Sequence, residues 1–366
     1  MSEDNILLFD WKHLRDVTRD ILRGAGSDAP EAEVVAERLI KANLTGHDSH
    51  GIIRIPRYMM WLRDGMIVPN QHTDIIRDNG ATVLLSGHRG YGQVAATETV
   101  ELAIERARTH QIAAVGVTDL AHIGRLADYC LMGAEAGMVT MLFTSTGGYS
   151  KLVAPYGGSD RRMSTNPIAA AFPSDREHPV VFDLATSAYA EGKFRVMVEG
   201  KVPAPDGVLF DPEGNPSNDP EDLYRLGAIM PLGGAQGYKG YLLNFLVEVL
   251  GGLLTGGGFV GKETDPPFNN CTMMLLLNVT AFRELPAFKE ELNAFIDFLK
   301  QSRPDATGGV MYPGEKEVKY EAKRTADGVP LAATTVANLQ GEMDRYGVSG
   351  DLASSGTPSN EPAWQY

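Results

Sequence analysis

The sequence predicts an α/β protein with a small helical unit ahead of its sheet. Three observations carry that prediction. Two helical segments with clear start and stop signals precede residue 46. From about residue 72 short β-branched runs alternate with helical stretches. The 366 residues are 43% apolar, ample for a large core.

The first helix is "DWKHLRDVTRDILRGAG", stopping at Gly24 and Gly26, and the second is "APEAEVVAERLIKANLTG". The second opens on Pro30 with carboxylates and ends at Gly46, as helix termini prefer. A third, "PRYMMWLRDG", closes on Gly65 ahead of Pro69, with "HDSHG" on the connection leading into it. Then "ATVLLSG", "IAAVGVTD", "MVTMLFTST" and "HPVVFDLAT" read as strands, and "MSTNPIAAAFP" as a polar turn before another. The stretches "GQVAATETVELAIERARTH" and "GRLADYCLMGAEAG" read as the helices between them. Residues 200–236, rich in Pro, Gly, Asp and Asn, form a long loop region. A helix over about 238–254, a buried strand "CTMMLLLNVT" and the amphipathic "PAFKEELNAFIDFLKQSRP" follow. The tail is rich in Pro and Gly, with one helix near 334–346. The expected division is a helical N-terminal unit (1–72), an α/β cofactor-binding body (73–304) and a C-terminal segment (305–366) that packs back on the body.

Acidic residues outnumber basic ones 47 to 33, a net charge of -14, and no basic stripe interrupts this. Nucleic acid and anionic membranes are therefore excluded as partners, and positive charge for an anionic ligand must be gathered locally. Arg54 and Arg57 gather some. Cys130 and Cys271 lie apart in apolar surroundings, as core thiols of a cytoplasmic protein do. No signal peptide is expected, and "YLLNFLVEVLGGLLTGGG" is too short and too polar, with Asn244 and Glu248, to cross a membrane.

"GGGFVG" (Gly256, Gly258, Gly261) matches a dinucleotide fingerprint in letters only. That fingerprint needs a strand before it and a helix after it, whereas a helix precedes this one and a polar loop follows. A helix-ending turn is the expectation. "HDSH" spaces His47 and His50 for zinc, but no further ligands gather in the sequence, so no metal is expected. Ser49 reads as a helix N-cap; as a nucleophile it would need its neighbour His50, and adjacent side chains usually diverge. His50 suits proton transfer at neutral pH, and Arg54 could grip a carboxylate with two hydrogen bonds. His122, between a strand and a helix, is either a second functional imidazole or a capping residue. Ser164, Thr165 and Asn166 form a polar turn. Asp183, Thr186 and Ser187 offer a hydrogen-bonding edge, and Lys239 sits between glycines at a helix start.

Together "ANLTGHDSHGIIRIPRY", "AHIGRLADY", "STNPIAAAFP", "FDLATS", "PLGGAQGYKGY" and "YPGE" resemble the malate/L-lactate dehydrogenase family, in order, from about residue 10 to 325. The resemblance implies the sulfolactate dehydrogenase-like fold: a mixed sheet with helices on its faces and a nicotinamide site that is not a Rossmann fold. It implies a homodimer with the active site near the interface, and NAD or NADP as cofactor, NAD favoured. It makes His50 and His122 the acid/base candidates and places Arg54, Ser49 and Tyr58 at the substrate. It assigns the cofactor to Thr146, Thr165, Asp183, Leu184, Ala185, Thr186, Ser187, Tyr238, Lys239, Pro313, Gly314 and Glu315. Ser164 replaces the family's usual glycine, Val208 a common tryptophan, and "GYKGY" the usual "HKG".

The expected reaction moves a hydride between NAD(P)H and the α-carbon of a small 2-oxo or 2-hydroxy acid. The alternatives are reduction of a cyclic imino acid such as pyrroline- or piperideine-2-carboxylate, a metal-dependent hydrolase, and a binding protein without turnover.

Overall fold

The computed structural model describes residues 6–147, 150–177, 180–262, 270–306 and 308–359, without the side chains of 196, 199 and 200. Strand β1 (Ile6–Phe9) leads into helices α1 (Trp11–Gly24), α2 (Ala29–Leu44) and α3 (Ile55–Arg63). Asp10 and Asp28 cap α1 and α2, accepting the backbone N–H groups of His13 and Glu31. Pro56 sits in the first turn of α3, where a missing N–H is not felt.

The body runs β2 (Asp74–Asp78), β3 (Thr82–Ser86), α4 (Gly92–His110), β4 (Ile112–Leu120), α5 (Ala127–Glu135), β5 (Met138–Ser145), β6 (Ile168–Phe172) and β7 (Val180–Leu184). Helix α6 (Glu191–Gly200) leads into the stretch expected as loop, which in fact carries three short strands, β8 (Leu209–Phe210), β9 (Pro216–Ser217) and β10 (Ala228–Ile229). Then come α7 (Tyr238–Val247), β11 (Asn270–Asn278), α8 (Leu285–Lys300), α9 (Glu315–Asp327), β12 (Val329–Ala332), α10 (Ala333–Tyr346) and β13 (Thr357–Ser359). The expected single helix over 238–254 changes winding, continuing beyond α7 as a π-helix over Glu248–Leu253. Gly256, Gly258 and Gly261 follow it with positive φ, and a Cβ on Gly257 would lie 2.3 Å from Cys271 Sγ. That is a tight turn packed on β11, not a phosphate loop.

The main sheet is mixed, in the order β2-β3-β4-β11-β5-β6-β7, and only β3 and β4 run parallel. Strand β11 inserts between β4 and β5, antiparallel to both: Asn270 pairs with Leu120, and Cys271 with Ser145. Strand β6 starts beside the end of β5 (Ile168 opposite Phe143), and β7 ends opposite that start (Leu184 opposite Ile168). The segments following β4, β5 and β7, and the one preceding β6, therefore emerge at one edge of the sheet. Sites of open α/β sheets gather at such edges.

The helical unit shares its core with the end of the chain. Strand β1 lies between β12 and β13, and Leu339 and Met343 of α10 pack with Leu14, Ile21 and Met59. A second core, built on Val115, Val117, Leu142 and Leu276 of the sheet, holds α4 and α5.

Candidate active site

The "HDSHG" stretch divides its labour. Residues Asp48–His50 form one 3-10 turn and Ile52–Arg54 a second. Asp48 is buried and faces inward: its carboxylate takes Arg324 Nη1 and Nη2 at 2.8 and 2.9 Å and Asn43 Nδ2 at 2.6 Å. Asn43 Oδ1 accepts from the N–H of Ile52 at 2.9 Å. Gly51 is required here, because a Cβ would come within 2.1 Å of that same oxygen. Asp48 thus anchors the loop, while His50 and Arg54 turn toward the body.

Ser49 does not cap a helix as expected. The 3-10 turn brings it round to its neighbour, and Ser49 Oγ and His50 Nδ1 are hydrogen-bonded at 3.0 Å. Arg54 Nε donates to the Ser49 carbonyl at 2.5 Å, which leaves the two Nη groups without a hydrogen bond to any described residue. His122, in the segment after β4, stacks on His50 with ring centres 5.5 Å apart. Tyr58 Oη lies 2.6 Å from His122 Nδ1 and accepts from Gln93 Nε2 at 2.8 Å. His50, His122, Arg54, Ser49 and Tyr58 form one cluster at the junction of the helical unit and the sheet edge.

Electrostatics follow from burial. Burial, with the positive charges of Arg54 and Arg125, pushes His50 down to about 3, and burial, Arg54 and His50 push His122 well below its ordinary value. Both rings are neutral at physiological pH. Burial also raises the Tyr58 phenol to about 12, against the pull of Arg54. His47 Nδ1 donates to the Thr45 carbonyl at 3.2 Å. Among the described residues no group of three or more His, Cys, Asp and Glu side chains could hold a metal.

A second polar group stands further along the same edge. Thr186 donates through its N–H and Oγ1 to the Thr165 carbonyl and through Oγ1 to that of Asn166, clamping the segment after β7 onto the turn before β6. Ser187 Oγ donates to the Tyr189 carbonyl. Asn166, held at φ 34°, donates Nδ2 to Glu248 Oε2 at 2.6 Å and to Asn244 Oδ1 at 2.8 Å. Glu248 Oε2 also accepts from Ser145 Oγ at 3.2 Å, and Oε1 from the Val260 N–H at 2.6 Å. The π-helix puts this carboxylate at the sheet edge, in keeping with the association of such bulges with functional sites. Yet Thr146 Oγ1, Ser164 Oγ and Asn166 Oδ1 are buried without a hydrogen-bond partner among the described residues.

The remaining expected residues are placed apart from one another. Asp183 Oδ2 accepts from the N–H groups of Leu126 and Ala127 at 2.7 and 3.1 Å, at the start of α5, and burial holds this carboxyl up at about 6 against the charge of Arg125. Leu184 and Ala185 carry the backbone on to Thr186, Leu184 partly exposed. Tyr238 and Lys239 are exposed on the first turn of α7, Tyr238 edge-on to Tyr156 beside a cleft of about 410 Å³ lined by Phe210 and Met230. Pro313 accepts the Val181 N–H, Gly314 abuts Val181, and Glu315 pairs with Lys300 and Lys319, which hold it down at about 2 despite some burial. Val181 lies near the start of β7 and Asp183 near its end, so this last trio meets the sheet away from the edge described above.

Residues 9–340 match the model of the family described as malate/L-lactate dehydrogenase. The chain belongs to the malate/L-lactate dehydrogenase family. Hydroxycarboxylate dehydrogenase B of Escherichia coli (strain K12) is 38% identical over 331 residues, covering 89% of this chain and 90% of its own. A solved structure of an E. coli protein described as a malate/lactate dehydrogenase superposes with a TM-score of 0.89 at 35% identity, covering 95% and 98% of the two chains. The delta1-piperideine-2-carboxylate reductase of Pseudomonas syringae superposes with a TM-score of 0.79 at 28% identity, covering 92% and 99%. As a member of this family the chain is an oxidoreductase acting on the CH–OH group of hydroxy acids, and it depends on a nicotinamide cofactor. The metal-dependent hydrolase and the binding protein without turnover fall away.

The residues present fit such a cofactor. Buried polar atoms without partners cost stability unless something bound satisfies them. Thr146 Oγ1, Ser164 Oγ and Asn166 Oδ1 supply two hydroxyls and one carbonyl, the mixture that a carboxamide and ribose hydroxyls can answer. Gln93 and Glu248 were not singled out from sequence. Glu248 had a signal: with Asn244 it makes a polar i,i+4 pair inside an apolar helix. Gln93 had none.

Proposed function

We propose that the protein interconverts a small 2-oxo acid and its 2-hydroxy acid, with His122 moving the proton and Arg54 holding the carboxylate. The observation that carries this is the His122 hydrogen bond to Tyr58, beside an Arg54 whose Nη groups have no hydrogen-bond partner among the described residues. A base oriented by a third group, next to an open cationic fork, is the arrangement a carboxylate-bearing carbonyl needs. Bound nicotinamide supplies the hydride acceptor or donor; the chain supplies orientation and the proton. Arg54 fixes the α-carbon by its carboxylate. His50, steadied by Ser49, walls the pocket on the far face of His122 and hydrogen-bonds the substrate. Thr146, Ser164 and Asn166 hold the cofactor, with Thr186 and Glu248 setting the turn that carries them. NAD is favoured over NADP, because Glu248 borders this group and a carboxylate suits ribose hydroxyls better than a 2′-phosphate.

The protein works as a homodimer. Leu242, Leu243, Phe245 and Leu246 of α7 stand exposed by 40–58%, with Leu253 and Leu254 beyond them. An apolar face of this extent on a monomer marks an interface. Light scattering should give twice the chain mass, and a chain that stays monomeric would refute this part.

The deciding test is nicotinamide absorbance with NADH and NADPH separately, against oxaloacetate, pyruvate and pyrroline-2-carboxylate. Oxidation of NADH by an oxo acid is expected. The likeness to the piperideine-carboxylate reductase supports a second reading, C=N reduction, and oxidation by the cyclic imine alone would move the assignment there. His122→Asn should lower kcat by about 10²- to 10⁴-fold with little change in cofactor affinity. If His50→Asn has that effect and His122→Asn does not, the proton belongs to His50.

A further inference from the structure

Behind His122 the hydrogen bond to Tyr58 continues to a buried one from Gln93, which the proposed function leaves unused. Gln93 lies in the first turn of α4, just after Gly92, with no exposed surface. A Cβ on Gly92 would lie 2.4 Å from the Ala121 carbonyl oxygen and 2.6 Å from that of His122, so a glycine is what lets this turn press against the histidine. From there Gln93 Nε2 reaches Tyr58 Oη at 2.8 Å, and Tyr58 Oη reaches His122 Nδ1 at 2.6 Å.

The chain has a direction. A phenol carries one proton; where its oxygen accepts from an amide, that proton is free to go to the imidazole. His122 Nδ1 is then the acceptor, and the proton of the neutral ring sits on Nε2. The reverse direction needs the Gln93 amide turned over. Its NH₂ would then lose its acceptor, whereas the unpartnered atom at present is Oε1. Buried orphan N–H groups are the rarer of the two.

This creates a chemical requirement. A neutral imidazole that gives up its Nε2 proton becomes an anion unless Nδ1 is refilled at the same time. We propose that Tyr58 and His122 move the proton as one unit, with Gln93 as the positioning residue that sets its direction. The inference rests on the reading that His122 serves the substrate oxygen. During reduction the hydride brings its electron pair to the α-carbon and the carbonyl π pair moves to oxygen. That oxygen takes the Nε2 proton, and Nδ1 takes the hydroxyl proton of Tyr58. The phenolate left behind faces the Gln93 N–H and the charge of Arg54. Oxidation runs the same transfers backwards. The transfer avoids the imidazolium that burial, Arg54 and His50 disfavour, and leaves in its place a phenolate that burial disfavours and the charge of Arg54 favours.

The test is nitrogen-15 NMR of the full chain labelled at histidine, with His122 assigned through His122→Asn. In the unaltered protein near neutral pH, His122 Nδ1 should read as an unprotonated acceptor and Nε2 as protonated. A protonated Nδ1 overturns the proposal without any variant. Gln93→Leu should mix the two tautomers. Gln93→Glu offers only an acceptor to Tyr58 and should drive the proton onto Nδ1. With whichever oxo acid is turned over, Gln93→Leu should lower kcat by about 10- to 100-fold with KM within about 2-fold, and Gln93→Glu should not rescue it. A change confined to KM overturns the relay. If Gln93→Leu fails to fold, Tyr58→Phe gives the same tautomer readout. The expected tautomer with no turnover on any oxo or imino acid would sink the functional reading; turnover with the opposite tautomer would sink the relay alone.

Discussion

Two polar networks flank the candidate site, and they differ in completeness. Around Asp48 every bond is made: the carboxylate takes both Arg324 Nη groups and Asn43, Asn43 takes the Ile52 N–H, and Arg324 also donates to the Asn43 carbonyl. Around Asn166 the donors are spent on Glu248 and Asn244, but three buried oxygens wait without partners. Both are buried and both hold a loop. The closed network finishes at folding, and its work is to fix His50 and Arg54 in place. The open one finishes only when something binds. Completeness thus separates scaffold from site among residues that look equally polar in sequence.

The largest effect should come from breaking the closed network. Arg324→Met leaves the Asp48 carboxylate buried and unpaired, so stability should fall by about 3–5 kcal/mol in denaturant unfolding. The double variant Asp48→Leu/Arg324→Met removes both charges and should recover much of that loss. A single variant costing less than about 1 kcal/mol would mean that water already reaches Asp48 and the network is not closed.

Acid should act next, and on the histidines between the networks. His47 and His50 are held down at about 3 and His122 well below its ordinary value, each chiefly by burial. Their folded values lie below the unfolded one near 6.5. The stability they contribute is therefore complete above that pH and drains away as pH falls, by up to about 1.4 kcal/mol per pH unit for each ring. His47→Gln should flatten the acid limb of a plot of melting temperature against pH by one ring's share. An unchanged limb would show that His47 titrates normally and is open to solvent.

Much of this was legible in the sequence, and the gaps have physical causes. The strands and helices of the sheet announced themselves through β-branched runs and helical spacing, and "HDSHG" stood out by residue type. Strands β1, β12 and β13 did not, because a four-residue pairing between chain ends leaves no local pattern. Helix α9 hid in a stretch read from its prolines and glycines, and Arg324 on it looked like any surface arginine. Thr146 was read from resemblance alone and Thr165, Thr186 and Ser187 from their polar turns as well, but the structure adds which of their polar atoms are already spent. Gln93 was invisible, since its importance lies in Gly92 and Tyr58 converging on it from different elements.

The smallest effect is the sharpest test of the open network. Ser164 stands where the resemblance leads one to expect glycine, and its hydroxyl is buried without a partner among the described residues. Deleting a satisfied buried hydroxyl costs about 0.5–1.5 kcal/mol, whereas deleting an unsatisfied one relieves a desolvation penalty. Ser164→Ala should therefore leave the unliganded protein unchanged or slightly more stable. The same variant should weaken nicotinamide binding about 2- to 12-fold, the equivalent of one hydrogen bond. Titration of NADH by fluorescence and unfolding without cofactor read the two effects separately. Loss of stability without cofactor would mean that the hydroxyl is already bonded in the folded chain. Unchanged affinity with unchanged stability would place Ser164 outside the cofactor's reach, leaving Thr146 and Asn166 to hold it.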